Sequence, residues 1–205
     1  MLSLNNVQFS WSIKEKFEFN LSIKKGEVVT IEGPSGVGKS TLINLISGFL
    51  VPERGEILWR NKRIDNLQPN ERPTSTIFQN NNLFEHLSCF DNVCLGISAN
   101  LKISSREKEN ITSLFSELGI TKIMERMPNE ISGGQEARVS IIRALMTKKP
   151  ILLLDEPVSS LDQETREETL KIIKNTSEKY NLTLVIVSHH RDDRRLLNAR
   201  PISLV

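Results

Sequence analysis

Val28-Val29-Thr30-Ile31-Glu32-Gly33-Pro34-Ser35-Gly36-Val37-Gly38-Lys39-Ser40-Thr41 is the stretch that decides the fold. Val28 to Ile31 reads as a short buried strand, and a helical pattern runs from about Lys39 to Ser47. Between them, Gly33 to Ser40 fits the spacing G-x-x-x-x-G-K-[ST] without a gap, in the strand–loop–helix context it requires. Glycines let backbone N–H groups turn inward around phosphate oxygens. The helix that follows adds its positive N-terminal end. Lys39 brings a point charge to the β- and γ-phosphates, and Ser40 offers a hydroxyl to Mg²⁺. The stretch therefore implies a nucleoside triphosphate.

Two further stretches answer to it. Ile151-Leu152-Leu153-Leu154-Asp155-Glu156 is an apolar strand ending in two acids. Such a strand delivers carboxylates to the mouth of an open α/β sheet. There, Asp155 suits the organisation of Mg²⁺, and Glu156 suits orientation or deprotonation of an attacking water. Adjacent acids are common on surfaces, so the pair gains its meaning from the phosphate loop. Ser132-Gly133-Gly134-Gln135 precedes a helical pattern that runs to about Met146. Small residues at a helix start make a second anion site. One nucleotide rarely needs two such ends from one chain, so the second is read as serving a nucleotide held by another copy.

The rest of the chain supplies the frame. Phe17, Phe19, Leu21 and Ile23 alternate with polar residues, as in a strand with one wet face, and Leu2, Leu4, Val7 and Phe9 form its partner. Gly55 to Trp59 and Thr74 to Phe78 read as strands. From about Leu87 to Met146 the pattern is helical, with Ile111, Leu114, Phe115 and Leu118 on one face. Ser104 and Glu107 are a candidate capping box, and Gly119 is a stop. A helix from about Gln163 to Lys179, capped by Asp162, separates the strand at Ile151 from another at Leu182 to Val187. The expected layout is α/β: a parallel-sheet core carrying an antiparallel β edge and a helical insertion.

Bulk properties exclude several classes. The 205 residues carry a net charge of +2, with 38% hydrophobic and 25% charged residues. That charge is too small to argue for nucleic acid or an anionic surface. No apolar run is long enough to span a bilayer, and Met1 to Asn5 lacks the character of a signal peptide. A cytosolic chain is expected, with any membrane role acting through a partner. Cys89 and Cys94 are too few for a disulfide framework or a zinc site and read as reduced, packed thiols.

Taken together, these residues resemble the ATP-binding cassette subunits of ABC transporters over nearly the whole chain. Gly33 to Ser40 matches Walker A, Ile151 to Glu156 matches Walker B, and Ile131 to Gln135 matches the LSGGQ signature with Ile in first place. Gln79 resembles the Q-loop glutamine, Ser159 to Asp162 the D-loop and His189 the switch histidine. Trp11 falls where an aromatic stacks on adenine, with ordinary packing beside the first strands as its other reading. The resemblance implies a P-loop cassette with its core at about residues 1–86 and 147–205 and a helical subdomain at about 87–146. It implies ATP and Mg²⁺ as ligands. Two copies would sandwich two ATP molecules, each lying on Gly33, Pro34, Ser35, Gly36, Val37, Gly38, Lys39, Ser40 and Thr41 of one chain and on Ser132, Gly133, Gly134 and Gln135 of the other. Ser40, Gln79 and Asp155 would hold Mg²⁺, while Glu156 and His189 would be the catalytic residues. A transmembrane permease and, through it, a periplasmic or surface substrate-binding protein would be partners. The location would be the cytoplasmic face of a bacterial inner membrane.

Pro73 to Leu87, Ser47 to Leu50 and Pro150 to Pro157 narrow the resemblance to thiamine-importer ATPase subunits, which implies thiamine or its phosphates as cargo. A non-transport cassette that drives a cell-division or lipoprotein-release complex is the alternative. Three departures stand out. Glu136-Ala137 replaces a Gln/Arg-rich pair, Val158 follows Pro157 in place of an aromatic or small residue, and the chain stops soon after His189, where relatives usually continue. His190 and the run Arg191, Arg194, Arg195 read as solvated surface, while His86 reads equally as a residue facing the permease or a solvated loop histidine.

Overall fold

The computed structural model describes residues 1–79, 82–188 and 190–205. In chain order it forms β1 (Leu2–Ser10), β2 (Lys16–Ile23), β3 (Val28–Glu32), α1 (Lys39–Ser47), β4 (Arg54–Trp59), β5 (Lys62–Arg63) and β6 (Thr74–Ile77). There follow α2 (Cys89–Cys94), α3 (Ser105–Glu117), α4 (Gly133–Met146), β7 (Ile151–Asp155), α5 (Gln163–Lys179), β8 (Thr183–Val187), α6 (Arg191–Leu197) and β9 (Arg200–Ser203). One sheet has the order β2-β1-β4-β5 and is antiparallel. The other has the order β6-β7-β8-β3-β9, with β3 parallel to β8 and β9 and β7 parallel to β8. This is the expected α/β cassette fold.

The chain divides into two compact units. The first comprises Met1–Thr76, Pro150–Asp155 and Ser177–Val205. Its core joins Leu2, Leu4 and Val7 of β1 to Leu42, Ile43, Leu45 and Ile46 of α1 and to Ile151, Leu153, Val185 and Val187 of β7 and β8. Seven of the nine residues of α1 are buried, the polar Lys39, Thr41 and Ser47 among them. The jump from Leu4 to Val7, which breaks the period of two, is a bulge: the pairing register of β1 shifts there, and Asn6 has φ 49°.

The second unit comprises Ile77–Lys149 and Glu156–Thr176. Here α2 and α3 pack on α4. Cys89 and Cys94 are buried free thiols, with burial pushing each pKa up to about 11. At α3, Ser104 Oγ accepts from Glu107 N and Glu107 Oε2 accepts from Ser104 N, so the expected capping box is formed. Asp162 caps α5 by accepting from Thr165 N at 3.0 Å.

Two features lie beyond the sequence reading. β9 is a short strand pairing in parallel with β3. The Arg191–Leu197 segment is not uniformly solvated: Asp193 is 1% exposed and accepts a short hydrogen bond from Ser188 Oγ, and Arg194 lies 3.6 Å from Glu32.

Arg72 holds α1 at its C-terminal end. It is fully buried, and its guanidinium donates to the main-chain oxygens of Leu45, Ile46, Asp65 and Leu67. The last turn of α1 has no basic residue of its own, so Arg72 brings positive charge to the negative end of the helix dipole. Arg72→Met strands several buried carbonyls and should lower the unfolding free energy by about 3 kcal/mol. Urea denaturation measures this, and an unchanged midpoint would contradict it.

Arg200 of β9 bridges to Glu27, donating to its carboxylate at 2.6 Å. That bond, aided by the Lys24 amide and partly opposed by burial, holds the Glu27 carboxyl below its ordinary pKa. A lowered carboxyl pKa stabilises the fold above the unfolded-state value and loses that stability as pH falls through the folded-state value. Wild type and Arg200→Gln should therefore differ in thermal stability at neutral pH. The two should converge as the pH drops below about 4, which melting curves at stepped pH would show.

Candidate functional site

The first unit carries the phosphate loop. α1 begins after Gly38, whose φ of 97° places it in the left-handed region, and no side chain caps the helix. A Cβ at Gly38 would also sit 2.5 Å from Cδ1 of Phe17, so both backbone and space demand glycine there. The first turn contains no acid. An uncapped, acid-free helix start keeps its N–H groups for an external anion. Lys39 is 6% exposed, and its ammonium donates to the carbonyls of Gly33 and Pro34 at 2.9 Å each. The charge is thus held over the loop. Pro34, Ser35, Gly36 and Ser40 are exposed, and Val37 is half-buried.

Trp11 lies beside this loop. Its indole N–H donates to Thr41 Oγ1 at 3.2 Å, and its ring meets Phe9 edge-on at 5.1 Å. The ring is still 57% exposed. Trp11 therefore packs on its neighbours and keeps ring surface open.

Asp155 ends β7, the strand against which α1 packs. A serine hydroxyl and a carboxylate are hard oxygen donors of the kind Mg²⁺ accepts. That ion is usually held by one or two protein carboxylates, with phosphate oxygens and water completing the octahedron. The chemistry of Ser40 and Asp155 fits an ion shared with a phosphate chain.

The second unit carries Gln79, Glu156 and the Ser132–Gln135 helix start. Glu156 has φ 51°, a left-handed conformation that a non-glycine residue adopts at a cost of about 1 kcal/mol or more. Its carbonyl accepts from Ser159 N and Oγ, at 3.3 and 3.1 Å. The Gln79 side-chain amide donates to Glu156 Oε2 at 3.3 Å and approaches Ser159 Oγ at 3.4 Å. The glutamine segment, the acid and the D-loop serine therefore meet at one point.

At α4, Ser132 Oγ accepts from Gln135 N at 3.3 Å, and Gln135 Oε1 accepts from Ser132 N at 3.1 Å. The tetrapeptide is thus a capping box, a role its S-x-x-Q spacing allows. Its glycines have a packing role as well: a Cβ at Gly133 would lie 2.8 Å from Leu161, and one at Gly134 2.5 Å from Thr165. Gln79, Glu85, Asn129, Glu136 and Ser160 line a cavity of about 490 Å³ within this unit. The expectation for His189 lies outside the described residues. Asn82, which the sequence reading did not single out, binds the backbone of Phe78 next to Gln79.

Gly38→Ala should abolish detectable binding of a fluorescent ATP analogue, because it strains the turn and collides with Phe17. A melting temperature within a few degrees of wild type would show that the loss is local.

Known proteins resemble this chain over most of its length. The ABC transporter family model matches residues 17–159. Thiamine import ATP-binding protein ThiQ of Aliivibrio fischeri is 41% identical over 197 residues, which cover 96% of this chain and 84% of that protein. Its counterpart from Haemophilus influenzae is 48% identical over 171 residues, covering 83% and 80%. Among solved structures, a dimeric ATP-binding cassette in a post-hydrolysis state bound to ADP and Pi superposes with a TM-score of 0.83 at 31% identity, covering all of this chain and 94% of that one. A nucleotide-free cassette from an ABC transporter gives 0.86 at 26% identity, covering 100% and 87%. The chain belongs to the ABC transporter family, as one of its ATP-hydrolysing cassettes.

Proposed function

We propose that this chain powers a bacterial importer whose cargo is thiamine or a thiamine phosphate. The observation that carries the cargo is the identity of 41% and 48% to proteins named for thiamine import. A cassette does not itself bind cargo, so this part of the reading rests on relatedness. The motor rests on the residues.

In this reading ATP lies on Gly33 to Thr41, with the uncapped start of α1 and Lys39 answering its phosphates and Trp11 its adenine. Ser40, Asp155 and Gln79 would hold Mg²⁺, which when bound would offset phosphate charge. Glu156 orients the water and accepts its proton, and His189 contacts the γ-phosphate. The contribution of the protein is positioning and preorganised charge. Ser132 to Gln135 serve the ATP of a second copy, an arrangement supported by the kinship to a dimeric cassette.

Closure of the two copies needs ATP, and hydrolysis releases them. That cycle would move a transmembrane permease fed by a periplasmic or surface binding protein. Among the described residues no helix is long and apolar enough to cross a membrane, which accords with a peripheral subunit on the cytoplasmic face of the inner membrane. The residue roles and the division into a core at about 1–86 and 147–205 with a helical subdomain at about 87–146 belong to the same proposal.

The test is uptake by the subunit reconstituted with its candidate permease. ATP-dependent thiamine uptake is expected. It should fall at least about 100-fold in Glu156→Gln, which should still bind ATP and accumulate as a dimer. ATP turnover without thiamine uptake would remove the cargo and keep the motor, while near-normal turnover by Glu156→Gln would remove Glu156 from its role.

A further inference from the structure

Gln79 is held from behind by two side chains that belong to none of the nucleotide motifs. The first is Asn82. Its Nδ2 donates to the carbonyl of Phe78 at 2.6 Å, and its Oδ1 accepts from the amide of Phe78 at 2.8 Å. Both ends of one amide group are spent on the backbone of one residue, much as a strand partner would spend its N–H and C=O. That residue immediately precedes Gln79.

The second is Arg143 on α4. Its Nη2 donates a short hydrogen bond to the main-chain oxygen of Asn82. The guanidinium also lies 6.0 Å from the centre of the Phe84 ring, on its face. α4 is well fixed at this point: the carbonyl of Arg143 lies 2.4 Å from where a Cβ on Gly96 would be, so the helix and the end of α2 are in direct backbone approach. Burial lowers the pKa of Arg143, with the charge of Glu136 opposing that shift. A half-buried arginine fork held on one carbonyl and one ring acts as a strut.

The result is a continuous path from α4 through Arg143 and Asn82 to the backbone beside Gln79, whose amide then meets Glu156 at 3.3 Å. We propose that Asn82 and Arg143 are positioning residues for ATP hydrolysis: they set the Gln79 amide against the Glu156 carboxylate, using α4 as the fixed support. They touch no substrate. Their effect on turnover passes through Gln79, and the proposal rests on the role given to Gln79 in the reading above.

Because the action is indirect, the deciding measurement is a double-mutant cycle on steady-state ATP turnover by the full chain with its permease. Asn82→Ala should lower kcat about tenfold, since small misplacements of a positioning group carry losses of that order or more. Its Kd for ATP, read with a fluorescent analogue, should stay within about threefold, and its melting temperature should be close to wild type. In a Gln79→Ala background the same substitution should cost less than about twofold more, because the group it positions is already gone. Arg143→Met should reproduce the kcat loss, and Arg143→Lys, which keeps a cation and a donor, should recover part of it.

Equal losses in the two backgrounds would show a general structural effect and overturn the proposal, as would an unchanged kcat in Asn82→Ala. Full turnover by Gln79→Ala alone would overturn the role of Gln79 and the positioning claim together, which separates that failure from a failure of the clamp. If the Arg143 variants do not fold, the Asn82 cycle decides alone.

Discussion

The bare N-terminus of α1 is the constraint on which the rest depends. At Gly38 the left-handed φ and the nearness of Phe17 exclude the side-chain cap that a serine or aspartate supplies at an ordinary helix start. The helix must then be held by other means. Its apolar residues are buried in the common core of the first unit, and its far end is bound by Arg72 through the carbonyls of Leu45 and Ile46. A nine-residue helix is marginal in isolation. With its body packed and its C-terminal carbonyls satisfied, its N–H groups can be kept for phosphate oxygens without loss of the helix.

α4 shows the opposite solution. Its first turn is closed by the reciprocal bonds of Ser132 and Gln135, so it needs no ligand to be stable. A serine hydroxyl that accepts one hydrogen bond still has its own proton to donate, and the positive end of the helix dipole remains. The capping role and the anion role are therefore compatible. The tight approach of Gly133 to Leu161 and of Gly134 to Thr165 of α5 adds a reason for the glycines that owes nothing to nucleotide: a Cβ at either position would press on a neighbouring side chain.

Much of this was legible because it is local. Period-two alternation gave β2, and the capping spacing of Ser104 and Glu107 gave the start of α3 to the residue. The phosphate-loop spacing gave the strand–loop–helix unit around Lys39. What stayed hidden is held by distant partners. β9 is four residues long and exists by pairing with β3, far away in sequence. Nothing local marks Arg72, because two of the carbonyls it serves, those of Leu45 and Ile46, lie in a helix much earlier in the chain. Asp193 read as part of a solvated basic run, since nothing in the run marks its bond to Ser188. Glu156 carried a motif that named its chemistry but not its left-handed backbone.

Glu136 brings these strands together. An acid one turn into a helix that is meant to face phosphate reads as a defect, yet a first-turn acid stabilises the helix dipole by a few tenths of a kcal/mol up to about 1. The structure adds a second counterweight. Arg143 lies two turns further along α4, and the two charges interact. An acid and a half-buried base on one helix leave little net field at distance, because opposite charges cancel beyond their own separation. The carboxylate also lines the cavity shared with Gln79 and Ser160. Its negative charge therefore steadies Arg143, the cation that braces the glutamine segment, and the departure from the family pattern falls on the support of the site.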